Sequence, residues 1–260
     1  MKPVHLAVAL VCFGASLVPA ATAASTLRLC HNSDESFPWI MKVMPGFSQI
    51  LATDAARSLK LDLQLHPMNW NECLQAVRQG QMDGAISVAF VAERLDFLVY
   101  PMSSGGKPDT SLRMYNNSFS LYHRKAEKIA WDGRTLVVKG SIGMRQGSSI
   151  GTRLKALGAS ADTSSTNYVQ LMRRLAKGEF AAAAVETIEG HENLVQDFNL
   201  RSAIEPLPEP LLVEPFFTAF GKGYAQKNAA LIKAFWMQQQ KLRQTPEFAA
   251  KVRHLVKKID

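Results

Sequence analysis

The run from Gln81 to Pro101 (Gln-Met-Asp-Gly-Ala-Ile-Ser-Val-Ala-Phe-Val-Ala-Glu-Arg-Leu-Asp-Phe-Leu-Val-Tyr-Pro) constrains the fold more than any other stretch of this chain. Between the turn Asp83-Gly84 and the charged pair Glu93-Arg94, residues Ala85 to Phe90 are almost continuously apolar. A strand of that kind has no polar face to turn to water, so it belongs in a parallel sheet covered on both sides. Arg94 then stands beyond the end of a buried strand, and two readings are open. It pairs with Glu93 or Asp96 on a solvated surface, or its planar guanidinium holds a small anion bidentately.

The pattern around this run alternates between periods of two and 3.6 residues. Thr26 to Cys30 reads as a first strand. Phe47, Ile50, Leu51, Ala55 and Leu59 follow at helical spacing, and Leu61 to His66 alternates as a strand. Asn69 opens a helix carrying Cys73, Leu74 and Val77, which Gly80 ends. Strand, helix, strand, helix, strand is a small α/β layer. A second set follows a turn-rich break at Ser103 to Pro108. It comprises a strand over Met114 to Tyr122 and shorter strands at Leu136 to Val138 and Ser141 to Met144. A helix then opens at Gly147 to Gly151, and another, capped by Thr166, carries Tyr168, Leu171, Met172 and Leu175. Phe180 to Val185 is a strand made largely of alanine, which something must approach closely, and Thr187 to Phe198 is a further helix. The segment Glu205 to Pro210 reads as a rigid connector, and Leu211 to Phe220 contains another strand. Thr245-Pro246 starts the last helix.

The first residues predict export. Lys2, the apolar residues 4–18 and the Ala21-Thr22-Ala23 site form a secretory signal, too short and too early for a membrane span. Cleavage there leaves 237 of 260 residues and lowers the formal charge from +8 to +7, since it removes Lys2 and no acid. No later run is long enough to cross a bilayer. The basic residues are scattered among acids, with no aromatic-interleaved groove, which argues against nucleic acid. The histidines stand apart, without His-x-His or a close cysteine pair, which argues against a metal. Cys30 and Cys73 lie on neighbouring elements and are read either as a disulfide, which an oxidising compartment permits, or as two buried thiols.

Gly147-Ser148-Ser149-Ile150-Gly151 matches Gly-x-Ser-x-Gly in letters. Nothing ties it to a histidine and a carboxylate, so anion binding by hydroxyls and backbone N–H groups is the better reading. Glu186 ends the alanine strand as Arg94 follows its own, and is read either as an acid for a ligand ammonium or as a capping acid. Phe37, Trp39 and Tyr100 flank loops and could cover a ligand, whereas Trp70 is read as packing at a helix start.

The order and spacing of these pieces resemble the family 3 extracellular solute-binding proteins, periplasmic receptors for polar amino acids. The resemblance rests on Leu27-Arg-Leu29, Pro38-Trp39, Gly46-Phe47, Trp70, Gly80, Asp83-Gly84, Glu93-Arg94 and Tyr100-Pro101. In the second set it rests on Asp132-Gly133, Ile142-Gly143, Gln146-Gly147-Ser148-Ser149 and the Glu186 strand. It implies a two-lobed, type II periplasmic binding protein-like α/β fold. Lobe 1 would be formed by residues 24–115 with 217–260, and lobe 2 by residues 116–216.

The resemblance also implies a site. Arg94 and Ser149, with Ser148 beside it, would hold a ligand carboxylate, and Glu186 an ammonium in place of the usual aspartate. Ser87 and Asp34 match family positions in part, and Phe90, Trp39 and Tyr100 would suit an apolar or aromatic ligand group. The chain departs from the pattern where Ala89, Phe90, Val91 and Ala92 replace hydroxyl residues before the arginine. The ligand is therefore either not a standard α-amino acid, or it is held through backbone groups and Asn116 or Asn117. The expected molecule is a periplasmic monomer without cofactor or metal. It takes a small zwitterionic or anionic solute, an amino acid or analogue, and has a membrane permease or a sensor as partner. The alternatives are an enzyme resembling cyclohexadienyl dehydratases, using Glu186, His31 or Asp34 as acid or base, and an interaction protein without transport.

Overall fold

In the computed structural model, which describes residues 25–256, the first α/β set runs β1 (Thr26–Asn32), α1 (Phe47–Ser58), β2 (Asp62–Met68), α2 (Trp70–Arg78), β3 (Gly84–Ala89) and a short β4 (Leu98–Val99). The export signal expected at residues 1–23 lies outside the described residues. β1 pairs in parallel with both β2 and β3, and the stretch from Phe216 to Phe220 pairs antiparallel with the other edge of β3, which makes β3 an inner strand as its apolar run demands. All of β3 is buried except Ser87, which is only half-buried.

The second set runs β5 (Tyr115–Arg124), the hairpin β6 (Ala130–Trp131) and β7 (Leu136–Val137), then β8 (Ile142–Arg145) and α3 (Ile150–Ala156). It continues with β9 (Ala161–Ser165), α4 (Tyr168–Ala176), β10 (Ala182–Glu186), α5 (Thr187–Gln196), α6 (Phe198–Ala203) and β11 (Ile204–Pro206). β12 (Leu212–Gly221), α7 (Lys222–Arg243) and α8 (Pro246–Val256) complete the described chain. β8 pairs in parallel with β9 and β10, and β10 is antiparallel to β5. The residues read as a rigid proline connector instead contribute an edge strand, because Ile204–Pro206 pairs with the end of β5.

β12 joins the two sets. Its first half, Leu212 to Phe216, lies antiparallel to Phe119 to Tyr115 of β5, and its second half, from Phe216 to Phe220, lies along β3. The strand order β2-β1-β3-β12-β5-β10-β8-β9 therefore passes through a two-stranded ribbon, with one lobe at either end.

The all-alanine part of β10 has a packing reason. Ala182, Ala183 and Ala184 are fully buried, and β10 is flanked by β5 and β8 while α4 and α5 both pack on it. Close approach recurs at Gly190 of α5, where a Cβ would sit 2.4 Å from the Tyr122 ring. The α4 cap differs from expectation by one residue. Asn167 accepts from the Gln170 N–H at 2.9 Å, leaving Thr166 outside the helix. Cys30 and Cys73 form a disulfide between β1 and α2, in a core that includes Tyr100 and Phe217. Among the described residues, no helix is long and apolar enough to cross a membrane.

Candidate functional site

A cleft of about 500 Å³, open solvent at its mouth included, lies where the lobes meet. One wall comes from β3, and a defect in that strand shapes it. Phe217 pairs with Val88 but Ala219 with Ala85, so β3 carries one residue more than β12 over this span. Ser87 absorbs the extra residue with φ +58, a left-handed conformation rare for a residue with a side chain. Ile86, Ser87 and Ala89 all reach the cleft, which a regular strand with strictly alternating sides would not achieve with adjacent residues.

Arg94 lies in a short 3-10 turn over Ala92–Asp96. It is 9 % exposed, whereas Glu93 and Asp96 are exposed, and no ion pair joins it to either acid among the described residues. Its Nη1 donates to Ala89 O and its Nη2 to Gly147 O, both at 3.0 Å. The second bond crosses from lobe 1 to the β8–α3 turn of lobe 2. The guanidinium also lies 5.6 Å from the Trp70 ring. The solvated ion pair with Glu93 or Asp96 is not found among the described residues; Arg94 is instead buried at the cleft wall.

The β8–α3 turn supplies Gly147, Ser148 and Ser149 to the opposite wall. Gly147 has φ +72, and a Cβ there would lie 2.7 Å from Asn71 Oδ1 and 3.1 Å from the Trp70 ring. Glycine therefore meets both a conformational and a steric demand where the lobes touch. Ser149 Oγ donates to Glu214 of β12. No histidine is hydrogen-bonded to Ser148 or Ser149 among the described residues, so the Gly-x-Ser-x-Gly letters do not assemble a nucleophile and base. Burial pushes the Glu214 carboxyl up to about 7, against the pull of Ser149 and Arg94.

Glu186 is 3 % exposed and is the most heavily bonded acid of the cleft. Oε2 accepts from Ser36 Oγ at 2.6 Å and from Asn117 Nδ2 at 2.7 Å, and Oε1 from Tyr168 Oη at 2.9 Å and Arg145 Nη2 at 3.3 Å. Ser36 belongs to the first lobe, so Glu186 ties the lobes together. One turn along α5, Glu189 Oε2 accepts from the Phe37 N–H at 2.8 Å and makes a second tie. Burial raises the Glu189 carboxyl to about 7, opposed by the Phe37 N–H and reinforced by Glu186. Arg145 stacks 4.5 Å from the Tyr168 ring. Burial works against its charge, while Tyr168, Glu186, Asp34 and Glu189 outweigh that effect and hold it protonated.

Of the nine residues selected from the sequence, Arg94, Ser87, Ser148, Ser149 and Glu186 line this cleft. The aromatic trio is placed in packing. Trp39 stacks on Tyr115 at 3.8 Å, and Tyr100 is 2 % exposed, donates to Ala89 O and meets Phe90 edge-on at 5.3 Å. Asp34 lines a side cavity shared with Arg145. Trp70, read as helix-start packing, is instead a cleft residue together with Tyr115, Phe119 and Phe216. Sequence reading missed Arg145, Ser36 and Tyr168. For Arg145 the signal was present: a lone charge ending the apolar strand Ile142-Gly-Met144, much as Glu186 ends its own.

No protein-family profile matches the sequence, and no curated protein does. Solved structures do. A histidine kinase sensor domain with similarity to periplasmic binding proteins superposes with a TM-score of 0.72 and 14 % identity, over 90 % of this chain and 96 % of that one. The substrate-binding protein of an amino acid ABC transporter gives 0.67 and 19 %, over 90 % and 100 %. An ancestral arginine-binding protein bound to arginine gives 0.67 and 17 %, over 88 % and 97 %. At these identities the likeness is one of fold, and the chain has the two-lobed, type II periplasmic binding protein-like fold.

Proposed function

We propose that this chain is a receptor that binds a small carboxylate-bearing solute, of the size of an amino acid or its analogues, non-covalently in the cleft between the lobes. The observation that carries the reading is Arg94, a buried arginine with no carboxylate hydrogen-bond partner among the described residues, on a cleft wall facing Ser148 and Ser149. A buried guanidinium calls for an anion. A carboxylate there would receive charge-assisted hydrogen bonds from the arginine and a hydroxyl.

Capture would couple to closure. The two ribbon strands are the connection about which the lobes can turn, and Arg94–Gly147, Ser36–Glu186 and Phe37–Glu189 are contacts that closing makes and opening breaks. A ligand touching both walls favours the closed form by its differential affinity for it. In this reading the protein acts as a monomer in the periplasm, releases its ligand unchanged, and passes it to a membrane permease or reports it to a sensor.

A thermal-shift screen of the purified chain against carboxylic acids, amino acids and amines tests this. At a hundredfold excess over Kd, a ligand specific to the folded state adds about 2.7 kcal/mol of stability, raising the melting temperature by several degrees. Native mass spectrometry should then show the same compound bound and unaltered. A screen in which no carboxylate shifts melting, or a bound compound recovered chemically changed, would contradict the proposal.

A further inference from the structure

The cleft holds a second guanidinium that the reading above does not use. Arg145, on the cleft wall at the end of β8, has a side chain only 13 % exposed. One of its donors reaches Glu186, but Nε and Nη1 are buried without a hydrogen-bond partner among the described residues. Unpaired buried donors of a charged group are costly, and a cleft is where a ligand can supply their acceptors.

Glu186 differs in the opposite sense. A carboxylate has about four acceptor directions, and Ser36, Asn117, Tyr168 and Arg145 fill them. An ammonium placed beside Glu186 would find those directions occupied and would face the charge of Arg145. The cleft therefore offers unmet donors and no vacant acceptor on this carboxylate.

We propose that the ligand is a small organic acid lacking an α-ammonium, held by Arg145 of the second lobe as well as Arg94 of the first, with Glu186 serving to tie the lobes together. This rests on the solute-binding reading and narrows it. The upward shifts of the Glu189 and Glu214 carboxyls, both caused mainly by burial, agree with it, because they lessen the negative charge around an incoming anion.

Matched pairs that differ in the ammonium decide the matter. Glutarate and L-glutamate form one pair, and 3-phenylpropanoate and L-phenylalanine another, each titrated calorimetrically into the purified chain at pH 7. The expected result is at least one pair in which the acid without the amine binds tenfold or more tighter. Tighter binding of the amino acid in every pair that binds would overturn this inference and leave the solute-binding reading standing. Silence of both pairs and of the wider carboxylate screen would overturn both. Arg145→Gln should bring the preference within a pair toward unity, and Arg145→Lys should restore part of it. A preference unchanged in both variants, each still cooperatively folded, would remove Arg145 from the site.

Discussion

At the scale of single residues, charge and burial decide the roles. Arg94 was legible because a charged residue beyond a buried strand stands where open α/β sheets meet their ligands. Glu186 was legible as a cleft acid for the same reason, but its partners were not. Ser36, Asn117 and Tyr168 come from three distant parts of the chain; Asn117 and Tyr168 reach Glu186 within the second set of elements, and Ser36 reaches it from the first. Glu189 gave no sequence signal, since an acid in the first turn of a helix is commonplace. Its burial yields a pH prediction. The Glu189 carboxyl sits near 7 in the folded chain against an ordinary value of 4.5, so folding favours its protonated form. Its contribution to stability is fully present below about pH 4.5 and is lost as the pH rises through 7. The groups that set this balance are Glu186 and Arg145 beside it, with the Phe37 N–H and Asn193 as hydrogen-bond partners. Glu189→Gln should therefore lose less melting temperature than the parent between pH 5 and pH 8, measured by calorimetry in matched ionic strength. Parallel pH profiles would show that Glu189 does not titrate in this range.

At the scale of elements, the strands and helices followed their periodicities, and the deviations have local causes. Asn167 outcompetes Thr166 as a cap because its carbonyl reaches the Gln170 N–H. The β3 bulge was hidden, because an extra residue in one strand shows only against its partner β12. The β8–α3 turn was marked by its glycine and serines, but their contact with α2 needed the structure. Gly147→Ala places a side chain on a residue with φ +72 and against Asn71 of the other lobe. A left-handed conformation costs a non-glycine residue about 1–2 kcal/mol, and the clash adds to that only when the lobes are closed. The expected result is a melting temperature a few degrees lower and a ligand affinity reduced about tenfold or more. Small-angle scattering should show a larger radius of gyration than the parent. Parent-like affinity and radius would mean that close approach at Gly147 does not govern closure.

At the scale of the whole molecule, the alternation of strands and helices reads as two α/β sets, while their connection through a ribbon of β5 and β12 comes from pairing between residues about a hundred positions apart in sequence. Two similar α/β sets point to two lobes, but periodicity alone does not settle how they connect. The aromatic residues show where such reasoning stops. Trp39 and Tyr100 flank loops in sequence, yet they pack inward, and Trp70 at a helix start reaches the cleft because α2 faces the other lobe across Gly147. The central claim is that the space between the lobes captures a carboxylate through Arg94. Its most direct test is a calorimetric titration of the carboxylate that most raises the melting temperature into the parent chain and into Arg94→Ala. Hydrogen bonds to charged groups contribute about 1.5–3 kcal/mol, so the account predicts an affinity ten- to a hundredfold weaker in a variant that still unfolds cooperatively. Equal affinity in the two proteins would contradict it.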